Sequence, residues 1–460
     1  MIARTEAAPA LPPSRIILGA FYLFVCSIPF EFSDRDAQSL PIEIPTAVGA
    51  LFLLTTILQP RGSFGRPARP VWWFILYMYA FFLAAAVNGR DHLATLLNGA
   101  DYWQQVLKMG FSLIQLILIF WVGRNLMRRP GVTERALIAL ALACVVRAAM
   151  PFLGIATTVH SVQTGGQRLS AMGQNSNHAA MILGAGLIAL VGLTYGRYNR
   201  GRWRRLAGAP LLILLAVAVA DTGSRGGILA LALGTMAFMF QGGTLGQRIR
   251  NMVLTLLIIA AIGVAAFQSE VMRNRFMDTL ETGTLTGREL IYPAVVGMIR
   301  DRPLFGWGPA NNKYELGLRL DERVRRRRGT HNSVLEVLSA TGVFATIPFL
   351  IGMWLCFRAA WRAREGPDGS LPLALIVTVM ASNMSGDWFM TPLYWFALAY
   401  AVASEGHTVQ AAASHAPARP ASHRRRCGPA VSRRPRSCNA AATGGARPPH
   451  ATRPKYLCGI

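Results

Sequence analysis

The sequence predicts an all-α polytopic membrane protein of about twelve transmembrane helices, with one large, mostly helical loop on its outer side. Three observations carry that prediction. The 460 residues are 52% hydrophobic and only 15% charged, with a mean hydropathy of +0.34, whereas a soluble domain carries roughly 25% charged residues. Long apolar runs recur near 15–30, 42–59, 70–87, 107–126, 134–156, 177–195, 206–221, 226–241, 252–268, 333–357, 370–386 and 388–404. Most approach the roughly 20 residues that cross a hydrocarbon core. Finally, the connections between runs alternate between arginine-rich and arginine-poor. Helices follow because lipid offers backbone polar groups no partner, so each segment must satisfy its own.

Taken in order, residues 1–14 are a short cytoplasmic N-terminus. The first apolar run lacks a small-residue cleavage site and is read as a retained helix rather than a signal peptide. Spans one to nine fill 15–268. One set of connections holds Arg61, Arg66 and Arg69; Arg124, Arg128 and Arg129; Arg197, Arg200, Arg202, Arg204 and Arg205; Arg248 and Arg250; and Arg358, Arg362 and Arg364. The alternate set holds only Arg35 between Asp34 and Asp36, Arg90 beside Asp91, Arg168 and Arg225. The positive-inside rule places the first set and both termini in the cytoplasm. Residues 269–332 then form the one long outer loop, and loops of that length in a compact protein are usually functional. Its SEVMRNRFMDTLE stretch is helical in pattern. GRELIYPAVVGMIRD repeats that pattern, with Leu290, Ile291, Ala294, Val295, Met298 and Ile299 on one stripe, and stops at the Pro303 and Gly306–Gly308 breakers. Spans ten to twelve occupy 333–404.

Residues 405–460 hold nine arginines and one lysine against a single acid, Glu405. This Ala-, Pro-, Arg- and Ser-rich tail lacks the means to bury a core and reads as disordered and cytoplasmic. Its charge, a large share of the formal +25, suits anionic membrane lipids; nucleic acid is not expected as a partner. Six cysteines show neither metal-ligand spacing nor a disulfide pattern.

Four polar constellations fall on the outer side. TGSRGG carries Arg225 between glycines, and TGTLTGR presents Arg288 at a helix start, where free backbone N–H groups attract anions. Arg323, Arg325, Arg326, Arg327 and Arg328 form a dense run, followed by His331 between Thr330 and Asn332. Guanidinium forks on glycine-rich turns suit phosphate, to which they donate parallel hydrogen bonds. Each feature also has a plain reading: a lone arginine is ordinarily a solvated charge, an arginine run a solvated or headgroup-facing surface, and a lone histidine structural. Their shared side of the membrane and the position of His331 at the foot of a span favour function. Arg147 is a charge at membrane depth and so a binding candidate, although snorkelling explains it as well. Glu336, about 140° from His331 on an ideal helix, is a poor orienting partner, and Asp387 in SGDWF is a possible one.

These segments resemble the O-antigen ligase and polymerase superfamily of bacterial envelope glycosyltransferases. The resemblance runs in order through QRLSAMGQNSNHAAMI (167–182), DTGSRGGILALALG (221–234), GTLTGRELIYPAVVGMIRDRPLFGWGP (283–309) and THNSVLEVLSATGVFATIPFLIG (330–352). It implies transfer from an undecaprenyl-pyrophosphate-linked glycan donor to a sugar hydroxyl, which in the ligases belongs to a lipid A–core acceptor. The site would face the periplasm from the bacterial inner membrane. Arg225, Arg288 and His331 fall on the family's catalytic positions. Asn175 and Asn177 fall on an NxN-like element, where His178 replaces an often apolar residue. Arg323 to Arg328, Asn332 and Arg147 are the further binding candidates. No cofactor and no metal is expected, although Asp34–Arg–Asp36 has the outline of a cation-binding DxD. Other readings stay open: a polymerase or a protein O-glycosylating enzyme of the superfamily, and a secondary transporter, against which no internal repeat is visible.

Overall fold

A computed structural model describes residues 12–31, 43–91, 101–154, 158–160, 167–169, 175–196, 198, 201–241, 244–282, 288–320 and 327–415. Each of the twelve apolar runs contains a helix among its described residues. Seven helices are long and apolar enough to cross a membrane: Arg69–Val87, Tyr102–Met127, Pro130–Leu153, Ser176–Tyr195, Arg202–Asp221, Leu245–Gln268 and Ser333–Ala363. Shorter apolar helices at Arg15–Phe30, Ile44–Thr56, Arg225–Phe240 and Leu371–Ser382, with Pro392–His415, account for the other runs. The chain is an all-α multi-pass membrane protein. Hydropathy did not foresee a short antiparallel hairpin, Thr158–His160 against Gln167–Leu169.

Burial orders the bundle. The Ser176–Tyr195 helix is buried on nearly every side, which small residues permit. A Cβ at Gly186 would stand 2.4 Å from the Cys144 Cβ, so only glycine lets these two helices approach so closely. The Leu245–Gln268 helix is the opposite case. Its Leu254, Leu256, Leu257, Val264 and Phe267 are exposed, an apolar face of the kind that lipid covers.

At one end of the bundle lie the helices of the long loop, Glu270–Thr282, Arg288–Asp301 and Asn312–Arg319. Ile291, Val295, Met298 and Leu316 are buried together, with Trp307 and Leu335 packed on them. Leu290, expected on the same stripe, is exposed. Arg302 lies over the Trp307 ring at 4.1 Å, donates to Asn88 Oδ1 at 2.8 Å and pairs with Asp91, tying this loop to the end of the Arg69–Val87 helix.

The Ser333–Ala363 helix is broken inside. Gly342 has φ 70° and ψ −178°, a region essentially reserved for glycine. The break admits the 303–308 segment: Val343 N donates to Pro303 O, Trp307 N to Ser339 O and Gly308 N to Ala340 O, each at 2.9 Å. A Cβ at Gly342 would stand 2.1 Å from Leu304 O. Two elements that hydropathy reads separately, the PLFGWGP breaker and a continuous span, are one interlocked joint.

At the opposite end, the last helix continues to His415, so residues 405–415 are helical although composition placed them in the basic tail. The reason is His407. Its Nδ1 donates to Asp368 Oδ2 at 2.7 Å and its Nε2 to Met127 O at 2.8 Å. Burial opposes charge on the ring, but both nitrogens face acceptors, which favours the doubly protonated ring and raises the imidazole above its ordinary value. Asp368 Oδ1 also accepts from the Tyr198 hydroxyl at 2.6 Å. Ending the chain after Glu405 would leave the buried Asp368 without its cation, which typically costs about 3–5 kcal/mol. We expect that truncation and His407→Ala to lower the thermal midpoint of the detergent-purified protein by similar amounts; midpoints equal to that of the full chain would dismiss the pair as a brace.

Arg147 is corrected in one respect. It is 1% exposed and donates from Nη1 to Pro29 O at 2.6 Å, so it does not snorkel to the surface but links two helices from within.

Candidate active site

Among the described residues, Arg288, His331 and the helix that Asn175 caps come to the turn that joins the Leu371–Ser382 and Pro392–His415 helices, and the helix that Arg225 begins starts beside it. Ser224 caps the Arg225–Met236 helix, its side chain accepting from Gly227 N at 3.0 Å, and so sets Arg225 at the helix start. Arg225 Nη1 donates to Arg275 O at 3.3 Å, while Arg275 Nη1 donates to Gly223 O at 2.6 Å. Next door, a Cβ on Gly226 would stand 2.6 Å from Ser385 Oγ, and Arg288 Nη2 donates to Ser385 O at 3.2 Å. Arg288 therefore borders Ser385, and the helix that Arg225 begins approaches the same residue through Gly226. Of the arginine run, Arg323, Arg325 and Arg326 lie outside the described residues, Arg327 is exposed and Arg328 half-buried.

His331 stands at φ 54°, the one described non-glycine residue with a positive value. Such a backbone costs of order 1–3 kcal/mol and persists where its surroundings over-determine it. Those surroundings are visible. Asn332 caps the following helix, its Oδ1 accepting from Val334 N and Leu335 N at 3.0 and 3.2 Å. Ser333 Oγ donates to Asn383 Oδ1 at 2.6 Å, and Ser333 N donates to Asn383 O at 2.9 Å. Before the histidine, Thr330 N donates to Glu336 Oε2 at 3.4 Å and Arg328 N to Lys313 O at 2.9 Å. Lys313 Nζ lies 2.7 Å from Asp387 Oδ2 and 3.9 Å from Glu336 Oε1.

The charges around this turn set its protonation. Burial pushes the His331 imidazole below its ordinary value; Asp387 opposes that, and Arg328, Arg288 and Lys313 reinforce it. Burial alone would raise the Asp387 carboxyl, but Lys313, by charge and hydrogen bond, and His331 outweigh it and hold the group below the usual carboxylate range. Burial likewise disfavours charge on Lys313, yet Asp387 and Glu336 more than compensate. At neutral pH the turn thus combines a neutral imidazole, a charged carboxylate and several fixed cations, a set able to accept a proton and to hold an anion.

Asn175 caps the Ser176–Tyr195 helix, its Oδ1 accepting from Asn177 N at 2.9 Å. His178, in the first turn, packs with its ring tilted against Trp388, centroids 5.3 Å apart, and lies 3.6 Å from Glu31, bringing this element beside the same turn. Asp34 and Asp36 fall outside the described residues.

Sequence reasoning missed Lys313 and Arg275 and set Glu336 aside. The angular argument against Glu336 assumed that His331 belongs to the helix. The helix begins at Ser333, and Glu336 instead reaches back to the turn before the histidine. One sequence signal for Lys313 was present: only Lys108, Lys313 and Lys455 are lysines among 47 basic residues.

These features define a multi-pass membrane protein with a histidine set among arginines where several helix ends meet. Residues 210–350 match the family model described as O-Antigen ligase, which bears out the resemblance to the O-antigen ligase and polymerase superfamily. Arg225, Arg288, Lys313, Glu336 and His331 lie inside the matched segment; Arg147, Asn175, Asn177 and Asp387 lie outside it. No curated protein matches the chain.

Proposed function

We propose that the protein is an O-antigen ligase, a glycosyltransferase acting at the periplasmic face of the bacterial inner membrane. It transfers glycan from undecaprenyl pyrophosphate to a sugar hydroxyl of lipid A–core. The observation that carries this reading is His331, held at φ 54° within the field of Arg288 and Arg328 and inside the family-matched segment. The acceptor oxygen forms a bond to the anomeric carbon while the bond from that carbon to the pyrophosphate oxygen breaks. The acceptor proton passes to His331, and the electron pair leaves with the polyprenyl pyrophosphate. One direct displacement inverts the anomeric centre. Arg288 and Arg225 stabilise the charge growing on the leaving group, the kind of fixed electrostatic contribution on which enzymes rely most. Arg323, Arg325, Arg326, Arg327 and Arg328 are assigned to the phosphates of donor or acceptor, with Asn332, Asn175 and Asn177 as further substrate contacts and Arg147 supporting them from within the bundle. That dense positive run favours ligase over polymerase, because lipid A–core carries phosphates and a neutral repeat unit need not.

The test is transfer from undecaprenyl-pyrophosphate glycan to purified lipid A–core by the detergent-purified protein. We expect transfer that EDTA leaves intact. Elongation of carrier-linked repeats without transfer to lipid A–core would replace the ligase with a polymerase, and loss on chelation, restored by Mg²⁺ or Mn²⁺, would overturn the arginine-only mechanism.

A further inference from the structure

Around the histidine turn lies one cation that the proposed reaction does not use. Lys313 opens the Asn312–Arg319 helix of the long loop, and its Nζ meets Asp387 Oδ2 at 2.7 Å and Glu336 Oε1 at 3.9 Å. These two carboxylates reach the histidine turn from different elements. Glu336 Oε2 accepts from Thr330 N at 3.4 Å, and Asp387 packs against Gly329, where a Cβ would stand 3.0 Å from Oδ2. The Lys313 carbonyl in turn accepts from Arg328 N at 2.9 Å. Three successive residues before His331 are thus held by Lys313, directly or through a carboxylate it binds.

We propose that Lys313 is a positioning residue for the transfer, its ammonium fixing Asp387 and Glu336 so that the 328–332 turn presents His331 to the acceptor. This rests on the reading of His331 as the base.

The electrostatics explain why a cation is needed at that point. Without Lys313, two carboxylates from different elements face each other with no counter-charge between them, and they repel. The charged groups facing His331 are Asp387, Arg328, Arg288 and Lys313; those facing Lys313 are Asp387, Glu336 and Arg327. Removing Lys313 deletes one positive charge from the field at the imidazole and releases Asp387 from its partner. Both changes favour imidazolium, so the base form is lost at a pH where the native enzyme retains it. Lys313 also belongs to the long loop whereas Asp387 and Glu336 belong to the bundle, so the contact registers one against the other.

The experiment uses the full chain in detergent, with Lys313→Met, Lys313→Arg and His331→Ala. Two readouts are taken: the proton NMR titration of the histidine signal that disappears in His331→Ala, and the initial transfer rate against pH. In Lys313→Met we expect the His331 titration to move up by about one pH unit. Transfer well below the native midpoint should fall about tenfold, as the base form does, and recover toward the native rate at pH 8.5. Lys313→Arg, which retains the cation, should stay near the native enzyme in both. Should Lys313→Met not yield folded protein, Lys313→Gln, which keeps a donor toward Asp387, should show a smaller shift in the same direction. An unmoved titration, or a rate loss uniform across pH, overturns the positioning role. If the titration moves but the native protein transfers no glycan, the function reading fails while the contact stands. If His331→Ala is inactive and Lys313→Met is indistinguishable from native, the reverse holds.

Discussion

Replacing His331 with alanine should abolish glycan transfer while leaving the protein inserted and able to bind donor. The imidazole is a proton acceptor on a turn whose backbone is fixed on both sides by Thr330, Asn332 and Ser333. A positioned base contributes on the order of 10²–10⁴-fold, so kcat should fall at least that far with the donor KM little altered. The pH dependence has a definite sign. Burial, Arg328, Arg288 and Lys313 hold the imidazole below its ordinary value against the pull of Asp387. The base form therefore persists as pH falls through 6.5, the ordinary histidine value. Native transfer should lose half its rate at a pH below 6.5, not at or above it. A decline centred above pH 7, or full transfer by His331→Ala, would remove the histidine from the mechanism. Stability should change little: alanine tolerates φ 54° somewhat less well than histidine, but the contacts made by Thr330, Asn332 and Ser333 are unchanged.

The helices were legible in the sequence and the joints between them were not. Twelve apolar runs became twelve helices because lipid leaves the backbone no alternative, and that rule needs no knowledge of neighbours. Gly342 looked like an ordinary residue of a continuous span, because its φ of 70° is imposed by the 303–308 segment, which the chain folds onto it. His407 was assigned to the tail on composition, though its partners Asp368 and Met127 are 39 and 280 residues away. The same limit applied at the candidate site. Arg225, Arg288 and His331 could be picked from local patterns and family resemblance. Lys313 and Asp387 are separated by 74 residues, and no periodicity relates them. Asp387 was noticed only as the acid in an outer turn, and Glu336 was dismissed on a helical angle that did not apply. Motifs report what a residue can do, whereas the pairing that sets its protonation is a product of the fold.

Arg288→Lys should fall nearly as far as Arg288→Ala, and this result separates a pyrophosphate clamp from a solvated charge. Arg288 begins its helix and donates one guanidinium N–H to Ser385 O at 3.2 Å, which fixes the plane of the fork and leaves its remaining donors for a ligand. An ammonium keeps the charge, but it is a compact point donor unable to span two oxygens in parallel. If the clamp tightens as the anomeric bond breaks, losing it removes stabilisation that exists only in the transition state. That appears in kcat rather than KM, and removal of one such donor elsewhere costs about 10²–10³-fold. Arg225→Lys should behave similarly but more mildly, since Arg275, anchored on Gly223 O at 2.6 Å, remains beside it. The measurement is steady-state transfer over a range of donor concentrations for each variant. A raised KM with native kcat would make these arginines simple donor contacts, and native kinetics in Arg288→Lys would show that charge alone suffices and that the fork geometry is irrelevant.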